Sequence, residues 1–328
     1  MGRESGKTGI SVIVPFLNEE EGILLFCETV DAYAAGLDFP VELVFVNDGS
    51  TDRGAEMLKT YRFQHIENAQ LINLSKNFGS HAAIRAGLTY ASHEVCTWIG
   101  SDLQEPLELI PAAMAKIREG YDVVYIEKES IVVSRANRAF SRCYSWMVKK
   151  FAVSNYSSGG ISTIVFNRKI RDYLNRNIEN NSSIMLQIMD AGFRDITLPM
   201  HFNERSTGVS KWTLKKKIKL LIDSFVAFSF APIRLVTMVG FLLFGLGVLL
   251  GLITIINKIL NPAVPGGYST LICLLSLGFG VTNISLGIVA EYLWRAYDAA
   301  RGRPCFIIND SLCLTGGEKE ETGEAREE

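Results

Sequence analysis

Short apolar runs alternate with amphipathic stretches through the first half of the chain. Six runs rich in β-branched and aliphatic residues predict buried strands at 10–15, 41–46, 71–74, 95–99, 122–125 and 162–166. Helices are predicted at 20–33, 77–91 and 180–189, and Pro106 opens another. Strands that alternate with helices indicate an α/β fold with a mostly parallel sheet flanked by helices.

Polar residues collect where the predicted strands end. Glu19, Asp48, Lys76 and Asp102 each follow an apolar run. Open α/β sheets bind ligands at the carboxyl ends of their parallel strands, so a ligand crevice is expected at this edge. No GxGxxG follows the first run and no GxxxxGK[ST] occurs, which argues against a dinucleotide-binding fingerprint and a P-loop.

The fourth predicted strand runs directly into Gly-Ser-Asp-Leu-Gln-Glu-Pro at 100–106. Asp102 and Gln104 can present two oxygen ligands from a turn at the strand end. Hard oxygens of this kind suit Mg²⁺ or Mn²⁺, which in turn bind a diphosphate. The alternative is a turn whose acid caps the following helix, and this stretch alone does not decide between the two.

The second half of the chain has a different pattern. Two long apolar stretches, 233–256 and 268–293, each exceed the roughly 20 residues that cross a bilayer. A basic amphipathic stretch precedes them at 205–232, and further arginines follow them. Because basic residues favour the cytoplasmic side, both termini are expected in the cytoplasm of a multi-pass plasma (inner) membrane protein.

Four regions follow from these patterns. They are a cytoplasmic α/β domain at 1–204, an amphipathic interfacial region at 205–232, a two-helix transmembrane hairpin at 233–294, and a cytoplasmic C-terminal segment at 295–328. The segment ends in an acidic tail that is expected to be disordered.

Composition excludes several classes of protein. The net charge of −2, with no basic tract interleaved with aromatics, gives no sign of a nucleic-acid partner. The six cysteines form no CxxC pair, which favours reduced thiols in the cytosol over a disulfide framework or a zinc site.

Five motifs carry a resemblance to a known family. They are Val-Pro-Phe-Leu-Asn-Glu at 14–19, Val-Asn-Asp-Gly-Ser-Thr-Asp at 46–52, Asn-Phe-Gly at 77–79, Ser-Asp-Leu-Gln-Glu-Pro at 101–106 and Arg-Ser-Thr-Gly-Val-Ser-Lys at 205–211. The chain resembles the family-two inverting nucleotide-sugar glycosyltransferases over residues 10–308. Within them it is similar to the polyprenyl-phosphate enzymes, such as dolichol-phosphate mannose synthase and the bacterial enzymes that glycosylate undecaprenyl phosphate.

The resemblance implies a nucleotide-binding glycosyltransferase fold and a membrane enzyme. Such an enzyme moves a sugar from a nucleotide-sugar donor to polyprenyl (undecaprenyl) phosphate with inversion, for cell-surface polysaccharide or glycan modification. Its implied cofactor is Mg²⁺ or Mn²⁺, and its implied partners are the donor, the lipid phosphate, the lipid bilayer and, in some members, further copies of the chain.

The resemblance also assigns roles to residues of this sequence. Catalysis is assigned to Asp102, Arg205 and Lys211, and the metal to Asp102 and Gln104. Contacts to the nucleotide sugar are assigned to Pro15, Asn18, Glu19, Asp48, Lys76, Gly79 and Ser101, and contacts to the lipid phosphate to Lys128, Arg135, Arg205, Ser210 and Lys211. From the residues alone, Lys76 could equally be a solvated side chain at a strand end. The basic stretch at 127–155 could equally be the solvated face of a helix.

Two departures from the family pattern bear on function. Gly100 stands where the family's Asp-x-Asp has its first acid, which removes one metal or ribose ligand: either the metal binds more weakly, or Glu105 or water takes the place of the acid. Ser162 and Ile164 stand where an acid and an arginine are often found. A phosphate monoester already carries about −1.5 to −2 charge at neutral pH, so it needs positioning more than deprotonation. Two alternatives stay open: an acceptor other than a lipid phosphate, and an inactive membrane scaffold.

Overall fold

The computed structural model describes residues 8–128, 161–178, 183–202 and 267–315, with scattered positions between 238 and 260. Within these residues one sheet contains eight strands. They are β1 (Ile10–Phe16), β2 (Val41–Asn47), β3 (Asn68–Leu74), β4 (Val95–Trp98), β5 (Val123–Lys128), β6 (Ile161–Asn167), β7 (Asp195–Met200) and β8 (Ile308–Cys313). The accompanying helices are α1 (Ile23–Ala34), α2 (Gly54–Thr60), α3 (Ser80–Tyr90), α4 (Leu109–Arg118), α5 (Arg168–Arg176) and α6 (Ile184–Asp190). The predicted α/β class is confirmed.

The order of the strands explains where a ligand crevice can form. The sheet runs β7-β5-β6-β4-β1-β2-β3-β8, and β1 lies between β2 and β4 with both pairings parallel. The chain moves outward from β1 to β3 and then returns to the other side of β1. Strand order therefore reverses between β1 and β4, and such a switch point opens a crevice at the carboxyl ends of the strands.

The remaining strands make the sheet mixed. β6 is antiparallel to both β4 and β5, so β5 points in the same direction as β4, and β7 is parallel to β5. β8 is antiparallel to β3 at the outer edge. The carboxyl ends of β1, β2, β3, β4 and β5 consequently meet at one edge, as the sequence predicted for a mostly parallel sheet.

A fully buried carboxylate lies near the start of β2. Glu42 of β2 is fully buried, while its neighbours Leu43 and Val44 pack as apolar core residues. Its Oε1 accepts hydrogen bonds from the amides of Asn68 and Gln70 at 3.0 and 3.2 Å, and its two oxygens also accept from Ser11 and Ser92. A buried charge is tolerated when its oxygens are paired in this way.

A last helix, α7 (Tyr268–Ala300), contains 33 residues. It belongs to a second compact unit, whereas the residues from 304 onward group with the sheet. Leu271, Phe279, Ile284 and Leu293 of this helix are each more than half exposed. In the ranges described above, no helix combines the length and hydropathy that crossing a membrane requires.

Candidate functional site

Hydrogen bonds join the loops that follow β1 and β2. The backbone N–H of Asn18 donates to Oγ of Ser50 at 3.0 Å, and its Oδ1 accepts from the N–H of Thr51 at 2.8 Å. The N–H of Glu20 donates to Oδ2 of Asp52 at 2.8 Å. Asn18 has a φ of 53°, a left-handed conformation that asparagine adopts more readily than most residues other than glycine. The two loops thus form one surface at the edge of the sheet.

Asp48 connects this surface to the start of α3. The residue directly follows β2 and is only 4% exposed. Its Oδ1 accepts a hydrogen bond from the N–H of Phe78 at 2.7 Å, and its Oδ2 accepts one from the N–H of Gly79 at 2.9 Å. Burial raises the pKa of Asp48, and the two backbone donors oppose that shift. Asp48 and Gly79, both predicted to contact the nucleotide sugar, are therefore in direct contact with each other.

Gly49 allows the loops after β2 and β3 to approach closely. Its φ is 72°, and a Cβ atom there would lie 2.6 Å from the carbonyl carbon of Lys76 and 2.7 Å from the nitrogen of Asn77. No side chain fits such a gap. The side chain of Lys76 itself is exposed, with Nζ 5.1 Å from the ring centroid of Phe78.

The loop after β4 brings two carboxylates around Gly100. A Cβ atom on Gly100 would lie 2.9 Å from Oδ1 of Asp102 and 3.4 Å from Oε2 of Glu105. The N–H of Gly100 donates to that same Oε2 at 3.3 Å. Leu103, between the two acids, has a φ of 53°, so the chain turns sharply there. Both carboxylates consequently converge on the space above the Gly100 backbone.

Charges around this loop act on Glu105. Burial raises the pKa of Glu105 and the neighbouring Asp102 raises it further, while backbone N–H groups and Lys128 oppose the shift. Lys128 is the last residue of β5, and its Nζ lies 5.3 Å from the ring centroid of Phe202. The structure therefore places Lys128, predicted to bind a lipid phosphate, close enough to influence the acidic loop.

The oxygen ligands of this loop fit a hard divalent cation. Proteins usually bind Mg²⁺ through one or two carboxylates together with phosphates of the substrate. Asp102 and Glu105 supply two carboxylates, and the half-buried Gln104 lies between them in the chain. No group of three or more His, Cys, Asp or Glu side chains within the described ranges is close enough to hold a metal ion. Phosphate and water oxygens would thus have to complete the ligands.

The other predicted site residues fall into two groups. Pro15 lies within β1, Ser101 is buried beside Gly100, and the carbonyl of Glu19 accepts the N–H groups that begin α1. Arg135, Arg205, Ser210 and Lys211 lie outside the described residues, as does most of the basic stretch at 127–155.

β6 shows what occupies the positions of the missing acid and arginine. Ile164 is fully buried, and the adjacent Thr163 donates from Oγ1 to the carbonyl of Trp98. Ser162 is half-buried. These side chains pack β6 against β4 and bring no charge to the sheet.

Sequence reasoning did not assign individual roles to the residues that join the loops. Asn47 accepts the N–H of Ser50 at 2.8 Å and donates to Asn73 at 2.9 Å. The cluster of Asn, Asp, Ser and Thr at 46–52 was the available signal, because these side chains readily bond nearby backbone. The hydrogen bonds from this cluster to the loop after β1 form because β1 and β2 are neighbours in the sheet. The residues of the cluster alone do not predict that pairing.

Comparisons with known proteins agree with these features. Residues 11–196 match the model of glycosyl transferase family 2. The chain is 33% identical to the uncharacterized glycosyltransferase YkcC of Bacillus subtilis (strain 168), over 92% of this chain and 93% of that protein. It is 30% identical to an undecaprenyl-phosphate 4-deoxy-4-formamido-L-arabinose transferase of Proteus mirabilis (strain HI4320), over 91% of this chain and 92% of that protein.

A solved structure of glucosyl-3-phosphoglycerate synthase from Mycobacterium tuberculosis matches with a TM-score of 0.46 and 15% identity, over 67% of this chain and 77% of that one. A likeness this distant transfers neither the donor nor the acceptor of that enzyme. The two relatives, in contrast, align with this chain over more than nine-tenths of its length.

Proposed function

The chain belongs to glycosyl transferase family 2, and we propose that it transfers a sugar from a nucleotide-sugar donor to polyprenyl phosphate, with inversion, at the cytoplasmic face of the plasma membrane. The observation that carries this proposal is the convergence of Asp102 and Glu105 above Gly100, at the crevice edge of the sheet. Two carboxylates at such a point suit a divalent ion on a diphosphate leaving group.

The donor would lie across the loops at the ends of β1, β2 and β4. Asn18 and Asp48 support these loops through their hydrogen bonds, so a nucleotide would meet a surface that is already ordered. A bound Mg²⁺ or Mn²⁺ would neutralise the charge that develops on the departing nucleoside diphosphate. Asp102, Glu105 and Gln104 are the residues that would hold it there.

A lipid phosphate is the proposed acceptor because it needs no general base. In an inverting transfer, a phosphate oxygen forms a bond to the anomeric carbon while the bond from that carbon to the diphosphate breaks on the opposite face. The strand β6 carries no carboxylate to deprotonate a hydroxyl. The Proteus mirabilis relative is named for an undecaprenyl-phosphate acceptor, which supports the same choice.

Lys128 would contribute to binding of the acceptor. It lies at the crevice end of β5 and its charge acts on Glu105, so its ammonium group is available to an anion that binds beside the acidic loop. An ammonium group suits a phosphate as a point charge. Arg135, Arg205, Ser210 and Lys211 complete the proposed contacts.

Membrane attachment through a hairpin at 233–294 is part of the proposal. β7 ends at Met200 and β8 begins at Ile308 in the same sheet. Any intervening chain that crosses a membrane must therefore cross it an even number of times, and two spans meet this condition. The exposed apolar side chains of α7, such as Phe279 and Leu293, also support burial in an apolar surrounding.

The test is a transfer assay with the purified full-length protein in phospholipid nanodiscs. Mn²⁺, undecaprenyl phosphate and a panel of UDP-sugars and GDP-mannose are supplied, and lipid products are identified by mass spectrometry. We expect one donor to give a glycosylated lipid phosphate whose anomeric configuration, measured by NMR, is opposite to that of the donor. Undecaprenol, which lacks the phosphate, is the matched control acceptor and should give no product.

Two results would contradict the proposal. Transfer to a hydroxyl acceptor in the absence of lipid phosphate would indicate a different acceptor class. Binding of a nucleotide without any strengthening by Mn²⁺, together with no product from the whole panel, would indicate a membrane scaffold that has kept the fold.

A further inference from the structure

The backbone conformation of Gly100 does not require a glycine. Its φ lies outside the left-handed region that favours glycine. An alanine could adopt this backbone conformation, but its methyl group would lie 2.9 Å from Oδ1 of Asp102, closer than nonbonded carbon and oxygen atoms normally approach. The absent side chain therefore leaves a space that the carboxylates of Asp102 and Glu105 face.

We propose that Glu105 supplies the carboxylate that the family pattern places at position 100. Together with Asp102, it would form the oxygen pair that holds the divalent ion on the donor diphosphate. This inference rests on the proposed function. It means that the chain has not lost the metal ligand of the first acid, because a carboxylate five positions later takes its place.

The geometry favours a shared cation between the two acids. Oδ1 of Asp102 and Oε2 of Glu105 lie 2.9 and 3.4 Å from the same point, which places the two oxygens no more than about 6.3 Å apart. Oxygen ligands of one Mg²⁺ lie about 2.1 Å from the ion and hence roughly 3–4 Å from each other, so binding of the ion would draw the two carboxylates together. Two carboxylates held this close repel each other, and a divalent cation between them removes that repulsion.

The main structural alternative is that Glu105 only caps the next helix. Its hydrogen bond runs backward to the N–H of Gly100 instead, at 3.3 Å. The cap residue of α4 is Glu108, and no side-chain cap hydrogen bond is made there. The bond to Gly100 is also longer than the roughly 2.7–2.9 Å typical of charge-assisted hydrogen bonds, and the backbone N–H of Glu105 itself also acts on the carboxylate.

The left-handed residue in the loop explains how Glu105 reaches this position. Leu103 has a φ of 53°, which reverses the chain between Asp102 and Gln104. Glu105 therefore returns toward Gly100 rather than continuing away from β4. A five-residue return of this kind lets one acid replace another from a different place in the sequence.

The test measures Mn²⁺ binding directly, without the acceptor. Free Mn²⁺ is followed by electron paramagnetic resonance during titration of the full-length protein in detergent, with Mn²⁺ alone, with UDP and with GDP. Glu105→Gln should weaken Mn²⁺ binding in the presence of the better nucleotide by about 10-fold or more. Glu108→Gln is the matched control, since it removes the same charge three residues away at an exposed position, and it should bind like the wild type.

A second variant tests the space above Gly100. Gly100→Ala should displace the Asp102 carboxylate and weaken Mn²⁺ binding, even though the backbone accepts alanine. Thermal midpoints of all variants, measured without metal, identify any that fail to fold.

The inference is wrong if folded Glu105→Gln binds Mn²⁺ as tightly as the wild type, or if the wild type binds none with either nucleotide. Its failure can be told from that of the proposed function. Suppose that Mn²⁺ affinity depends on Glu105 but the wild-type protein glycosylates no lipid phosphate. The assignment of Glu105 as a metal ligand would then stand, and the proposed acceptor would be wrong.

Discussion

The backbone N–H of Gly79 donates a 2.9 Å hydrogen bond to Oδ2 of Asp48, so the residue that ends β2 fixes the conformation of the turn that begins α3. The second oxygen of the same carboxylate accepts the N–H of Phe78. Asp48 thereby acts as a brace between two loops at the crevice, whatever further contact it makes with a nucleotide. Four predictions follow from contacts of this kind.

Asp48→Ala should destabilise the protein and loosen the turn before α3. Two partly buried N–H donors, those of Phe78 and Gly79, would lose their acceptor, which costs about 1–3 kcal/mol for each group that stays unsatisfied. The thermal midpoint of the purified protein should fall by several degrees. Asp38→Ala is the control: the side chain of Asp38 is 73% exposed and lies 3.7 Å from Arg118, so its removal should leave the midpoint unchanged. Equal midpoints for the two variants would contradict the bracing role.

Gly49→Ala should weaken nucleotide binding and lower stability more than strain alone predicts. A Cβ atom at this position meets the backbone of Lys76 at 2.6 Å, so the loops after β2 and β3 must separate. Gly192→Ala is the matched control, because its φ of 69° is equally left-handed but nothing lies within 4 Å of the added atom. That control should cost only about 1–2 kcal/mol of backbone strain. Nucleotide affinity is measured by calorimetric titration with UDP and Mn²⁺, and stability by thermal unfolding. Equal affinities and equal midpoints for the two variants would show that the close approach of the loops is unimportant.

Glu42→Ala should be strongly destabilising although Glu42 lies far along β2 from the crevice end. Four side chains would lose their common acceptor; that of Ser11 is fully buried, whereas those of Asn68, Gln70 and Ser92 are partly exposed. We expect a loss of about 3 kcal/mol or more, seen as reduced yield of folded protein and a lower urea midpoint. Glu56→Ala, at a 71% exposed side chain paired only within α2, should change the midpoint little; a similar loss there would point to a general effect of removing acids.

Asp122 should make stability depend on pH in the acid range. Burial raises the pKa of Asp122, but hydrogen bonds from Lys169 and Asn167 outweigh it, and the pKa lies below its ordinary value of 3.8. A lowered pKa in the folded state means that the stabilisation is present above the ordinary value and is lost as pH falls through the folded value. The thermal midpoint of the wild type should therefore drop more steeply between about pH 5 and pH 3 than that of Asp122→Asn. Parallel curves for the two proteins would show that these contacts do not favour the ionised form.

The strands that sequence predicted well are those buried on both faces. All seven residues of β2 are buried, and β1 is nearly so, which produces the continuous apolar runs that identify a central strand. β7 and β8 were not predicted because they lie at the edges. β7 alternates exposed with half-buried residues and contains Pro199, and β8 reads Ile-Asn-Asp-Ser-Leu-Cys. Their pairing depends on neighbours that are distant in sequence, so local pattern carries little signal.

The site was predictable in its location but not in its internal contacts. The positions of Asp48 and Asp102 at strand ends were predictable, because the apolar runs that precede them indicate where each strand ends. The sequence could only offer Glu105 or water as a substitute for the acid missing at Gly100. The left-handed conformation of Leu103, a residue with no preference for it, is what brings Glu105 back toward Gly100.

The pairing of β8 with β3 has a consequence for biosynthesis. Ser75 donates its N–H to Ile307 and Leu314 donates its N–H to Ala69, so the last strand is tied to β3 at both ends. A ribosome delivers residues 307–314 only after it has made everything between 201 and 303. The edge of β3 must therefore remain unpaired until that later segment has emerged, so this part of the sheet cannot be completed while the first 200 residues alone are available.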